Sequence, residues 1–116
     1  MNVPFSNKFL FFSDGDVVTA PNDIACYPVS SYRGADSTQD GQLTLYFTPA
    51  EITQVVTADD VDTVVLSIAD HTHKAVLESI ANELTFGGSA LVTIADSDNS
   101  VFVNSNISDV AITKAG

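Results

Sequence analysis

The densest set of chemically capable side chains is Asp70-His71-Thr72-His73, two imidazoles beside a carboxylate. Imidazole and carboxylate together form a sensible ligand set for zinc or another transition ion. The spacing works against it. Positions two apart on a helix of about 3.6 residues per turn point roughly 200° away from each other, so one ion can be shared only if the segment is extended. The expected role is the capped start of a helix with two solvent-facing histidines. Asp96-Ser97-Asp98-Asn99 resembles the opening of a calcium loop, but the positions that need Gly and Glu hold Val101 and Ile107. A turn whose Asp and Asn side chains bond their own backbone accounts for the same residues. Asp59, Asp60 and Asp62 are expected to form a solvated acidic turn. No metal site is expected.

Nucleophilic chemistry fares no better. No Gly-x-Ser-x-Gly elbow occurs, and neither histidine has a sequence-adjacent Ser or Cys with an orienting acid. Cys26 lies in the apolar run Ile24-Ala25-Cys26-Tyr27, where a small buried thiol is expected. Gly87-Gly88 follows a helical pattern, whereas phosphate cradles precede one. Arg33-Gly34-Ala35-Asp36 is not an Arg-Gly-Asp tripeptide, because Ala35 intervenes. With no catalytic set and no cofactor motif, a non-enzymatic protein is expected, and no small-molecule substrate is evident.

The aromatic distribution carries more. Phe5, Phe9, Phe11 and Phe12, with Leu10 among them, crowd the first twelve residues, although the chain has only 7 Phe in all. A strand wetted on one face alternates apolar and polar residues, and this one does not. It is either buried on both faces or pressed against another subunit. We take Phe5, Phe9, Leu10, Phe11 and Phe12 as the candidate interface, with Val64, Leu66, Ile68, Leu77, Ile80, Leu84, Leu91 and Ile94 as the domain's own core.

The elements that must position these residues are mainly strands. Residues 8–12 and 17–20 flank Asp14-Gly15 and are expected to form a hairpin. Residues 23–33 offer another strand, with Pro28 confining part of it to an edge or bulge. Residues 34–41 are polar and are expected to loop. Residues 42–48 alternate, with Leu43, Leu45 and Phe47 on one face, and Val64, Leu66 and Ile68 do the same within 61–69. The one helical stripe runs over residues 71–85, where Val76, Leu77, Ile80, Ala81 and Leu84 share a face, with Asp70 or Thr72 and Gly87-Gly88 as its stops. If the strands flanking that helix lay parallel in one sheet, the connection would be a right-handed crossover. Strand patterns resume at 89–95, 100–104 and 107–113. The expected architecture is a single α+β domain over residues 1–116, one helix on a mainly antiparallel sheet.

Composition bounds the function. In 116 residues there are 4 Lys+Arg against 15 Asp+Glu, giving a formal net charge of −11. Such a chain is repelled by nucleic-acid phosphates and anionic lipid heads, so direct binding to either is disfavoured. With 45% hydrophobic residues and a mean hydropathy of +0.19, it has enough apolar surface to fold. The single Cys closes no intrachain bridge. The run Phe9-Leu10-Phe11-Phe12 is too short for a signal-peptide core or a membrane span, so none is expected.

Several stretches resemble small virion-associated proteins of marine tailed phages, particularly cyanophages. They are Tyr32-Arg33-Gly34-Ala35-Asp36-Ser37, Leu43-Thr44-Leu45-Tyr46-Phe47-Thr48-Pro49 and His73-Lys74-Ala75-Val76-Leu77-Glu78-Ser79-Ile80-Ala81-Asn82, followed by Val92-Thr93-Ile94-Ala95-Asp96-Ser97-Asp98-Asn99-Ser100 and Asn104-Ser105-Asn106-Ile107-Ser108-Asp109-Val110. The resemblance implies a capsid decoration or cement protein, with no catalytic residues to carry over. Its partners would be the shell protein, copies of itself, or both, and its place the virion, assembled in the host cytoplasm. Two other readings stand beside it: an acidic protein that mimics DNA charge and inhibits a basic host protein, and, more weakly, a small enzyme or metal-dependent module.

Overall fold

Alternation of buried and wetted residues needs a surface wetted on one side only, and two strands show it throughout. In the computed structural model, which describes residues 8–14, 24–37, 39–48, 61–97 and 99–113, these are β4 (Gln42–Phe47) and β5 (Asp62–Ile68). Leu43, Leu45 and Phe47 on β4, and Val64, Leu66 and Ile68 on β5, are all buried. The two pair antiparallel, Leu43 opposite Leu66 and Leu45 opposite Val64, so their apolar sets fall on the same side. With β3 (Tyr32–Asp36) and β8 (Ile107–Thr113) they make a four-stranded antiparallel sheet in the order β3-β4-β5-β8, here called sheet B.

A second four-stranded sheet, sheet A, holds β1 (Phe9–Ser13), β2 (Ile24–Pro28), β6 (Leu91–Asp96) and β7 (Val101–Phe102) in the order β2-β1-β6-β7. Its inner residues, including Leu10, Phe12, Tyr27, Val92 and Ile94, join those of sheet B and of α1 (His73–Phe86) in one buried cluster. The fold is α+β, and its strands are mostly antiparallel. They form two sheets rather than the single expected one, because the inner faces of both are apolar and each covers the other.

Several local expectations are corrected by this arrangement. The second arm of the proposed hairpin, residues 17–20, lies outside the described residues; β1 pairs antiparallel with β2 and parallel with β6. The helix connects β5 in sheet B to β6 in sheet A, so it is no crossover within one sheet. Residues 34–36 belong to β3 rather than to a loop. Gly34 sits at φ 141, which L side chains rarely adopt, and there the β3–β4 register slips by one residue, letting a polar strand keep its pairing. Pro28 does fall on an edge strand, at the end of β2.

Helix α1 starts after Thr72, whose hydroxyl donates back to Ala69 O at 2.6 Å instead of capping the first turn. Val76, Ile80 and Leu84 form its buried stripe. Gly87 ends it in an extended conformation (φ −66, ψ 144), with its N–H donating to Glu83 O at 3.0 Å. A Cβ at Gly87 would lie 2.5 Å from that same oxygen, so only glycine lets the chain leave so close to the last turn.

Candidate functional site

Strand β1 divides the Phe-rich segment by the two-residue period of a strand. Leu10 (3% exposed) and Phe12 (0%) point into the domain's own core, where no second chain can reach them. Phe9 (42% exposed) and the partly buried Phe11 point the other way. Phe5 lies outside the described residues. Of the candidate interface, Phe9 and Phe11 therefore remain on the surface.

The neighbouring strands extend this face. Phe9 lies between Pro28 on β2 and Leu91 on β6, and Phe11 between Cys26 and Thr93. Leu91 and Ile24 are exposed, at 49% and 41%. Leu91 is thus an outer-face residue and not part of the core. Cys26 is also exposed rather than buried, because Ala25 and Tyr27 take the inward positions of β2. Partial burial still pushes its thiol pKa upward, so at neutral pH it is a thiol and a poor nucleophile. The outer face of sheet A accordingly presents Phe9, Phe11, Ile24, Cys26, Pro28 and Leu91, with Thr93 as a polar member.

Buried polar groups fix this sheet from behind. Lys8 is fully buried, and its Nζ donates to Glu83 O at 3.0 Å and Gly87 O at 2.6 Å. An ammonium at the carbonyl end of a helix meets both the unpaired acceptors and the negative end of the macrodipole. On β2, the buried Tyr27 hydroxyl donates to Asp62 Oδ2 at 2.8 Å, and the Tyr27 ring stacks on Phe47 with centroids 4.2 Å apart. Phe12 meets Phe47 edge-on at 5.7 Å, so aromatic rings from both sheets interlock. Burial, and then the bond to Asp62 and its charge, drive the Tyr27 pKa far above its ordinary value. Asp62 is 1% exposed, which corrects the solvated turn expected for it; Asp59 and Asp60 lie outside the described residues.

The two histidines serve different contacts. His71, in a left-handed conformation (φ 64), places Nδ1 3.1 Å from Asp40 Oδ2, while its N–H donates to Asp40 Oδ1 at 2.9 Å. The His71 N–H is the main cause holding the Asp40 carboxyl below its usual range. His73 Nε2 lies 2.9 Å from Gln42 O and 3.0 Å from Ser37 Oγ. A carbonyl only accepts, so the bond to Gln42 O requires a proton on Nε2. That nitrogen then cannot take one from Ser37, and the pair ties the β3–β4 turn to the helix start instead of forming a nucleophilic dyad. Among the described residues, no three His, Cys, Asp or Glu side chains converge as metal ligands. Asp96 accepts from both the backbone and the side chain of Asn99, the self-bonded turn expected there.

Reading the sequence missed Lys8 and the Ser37–His73 contact. The signal for Lys8 was a lone cation beside a Phe run in a chain with 4 Lys+Arg; Ser37 carried none. Among the described residues, no helix is long and apolar enough to cross a membrane. Comparison with protein-family models, with curated proteins and with solved structures returns no match.

Proposed function

We propose that this chain is a non-enzymatic structural protein of a phage particle, a decoration or cement subunit that seats on the shell through the outer face of sheet A. The observation that supports this most is the apolar row Phe9, Phe11, Ile24 and Leu91 on a protein of net charge −11. An exposed apolar patch on an otherwise charged surface marks a contact site. Burying one such side chain fully contributes roughly 1.5–3 kcal/mol, so several together offset the entropy cost of association. Copies of the chain repel one another at low salt, and a neutral or basic shell surface meets the charge requirement better than self-association alone. The resemblance of residues 30–113 to marine-phage virion proteins points the same way.

Purified particles provide the test. The chain is expected in many copies per virion, and Phe9→Asp with Phe11→Asp is expected to give a soluble, cooperatively melting protein that no longer decorates particles. Decoration at the wild-type level by that variant would move the contact elsewhere on the molecule. Absence of the wild-type chain from particles, with tight binding to a basic host protein, would establish the inhibitor reading instead.

A further inference from the structure

Protein interiors close to crystal-like density and seldom leave voids larger than a water molecule. Here the helix and the two sheets enclose a cavity of about 230 Å³. Its floor is formed by the buried Leu10, Leu45, Ile80 and Ile94, drawn from β1, β4, α1 and β6. Tyr32 and Ala81 also line it, and both are exposed, so the cavity reaches solvent between β3 and the middle of α1.

We propose that this cavity binds a small, neutral, apolar ligand: one substituted ring, or an alkyl chain of the same bulk. Size sets the upper bound, because pockets for drug-sized molecules run from about 300 Å³ upward. It also sets the lower one, since an apolar cavity of about 150 Å³ already admits benzene. Charge is excluded by the lining. Among the described residues that line the cavity none is ionised at neutral pH, and an ion buried there would lose its hydration without a partner among them. The net charge of −11 further disfavours anionic amphiphiles. Among the described lining residues Tyr32 has the only polar side-chain atom, which suits a ligand with at most one hydroxyl or carbonyl. This site is separate from the outer face of sheet A and stands whether or not that face binds a shell.

The test titrates the full chain with benzene, and with benzoate as the charged counterpart, following amide NMR shifts and thermal melting. Benzene is expected to give one saturable set of shifts centred on Leu45, Ile80 and Ile94 and to raise the melting temperature; benzoate at the same concentration should do neither. Ala81→Phe fills the mouth from an exposed helix position and should weaken benzene binding at least tenfold. Ala81→Leu, a smaller plug at that position, should weaken it several-fold and keeps the test readable if Ala81→Phe folds poorly. Phe9→Asp with Phe11→Asp should bind benzene as the wild type does. Non-saturable shifts, wild-type affinity for benzene in both Ala81 variants, or loss of binding in the Phe9/Phe11 variant would each overturn the proposal.

Discussion

Along sheet B the outward positions are Gln42, Thr44 and Tyr46 on β4 and Thr63, Val65 and Ser67 on β5. Along sheet A the corresponding positions are Phe9 and Phe11 on β1, Ile24 and Cys26 on β2, and Leu91 on β6. Both sheets contribute their other face to the same buried cluster, so the core does not account for the difference. Hydroxyls on sheet B satisfy water and leave that face inert. Phenylalanines on sheet A expose area that water penalises, which has a use only when something covers it. The polar anchors differ in place: the buried Lys8 holds the start of β1 to the helix end, the buried Tyr27–Asp62 bond ties the two sheets together, and the exposed pair His71–Asp40 joins the turn before β4 to the helix start.

Substitutions can break that contrast, beginning within β1 itself. Phe12→Ala should cost about 3–5 kcal/mol, whereas Phe9→Ala, on the outer face of the same strand, should change stability by no more than about 0.5 kcal/mol in urea denaturation. Equal costs would mean that the outer face is part of the stabilising core. Lys8→Met keeps the length of the side chain but leaves Glu83 O and Gly87 O without their donor. A loss of about 1.5–3 kcal/mol is expected, with amide exchange accelerating first around residues 83–87.

Alkali probes the bond between the two sheets. The Tyr27 pKa is raised in the folded protein above its ordinary value of 10.0. Above that pH the unfolded chain releases a proton that the native state retains, so stability is fully present below pH 10 and falls as pH rises past it. Tyr27→Phe should flatten this alkaline limb in a series of melts. The smallest effect belongs to sheet B: His71→Ala should leave the melting midpoint within the scatter of repeats at neutral pH. Because the Asp40 pKa is lowered, what little the pair contributes is present above the carboxylate range and fades as pH falls through it.

The same contrast explains what could be read before folding. In β4, β5 and α1 most residues' polarity matches the side they face, so period alone located them and named Val64, Leu66, Ile80 and Leu84 as core. In β1 both sides are apolar, and no pattern tells Phe12 from Phe11. Only pairing with β2 and β6 decides, and β6 lies far off in sequence. Asp62 was misread for a related reason: an acid beside other acids looks solvated until a tyrosine from another sheet arrives at 2.8 Å. Gly34 hid a strand in a polar stretch, because a register shift leaves no mark on composition.

The parallel pairing of β1 with β6 joins Phe9 to Leu91 across most of the chain. During synthesis, β3, β4 and β5 emerge one after another and can pair in that order, while β1 waits with one edge unpaired until residues 91–96 emerge. Long-range pairing of this kind is slow to nucleate, and the waiting edge belongs to the most phenylalanine-rich strand of the protein. The pairing of β6 with β1 is therefore a step open to aggregation, and the yield of soluble protein should depend on how quickly β6 reaches β1.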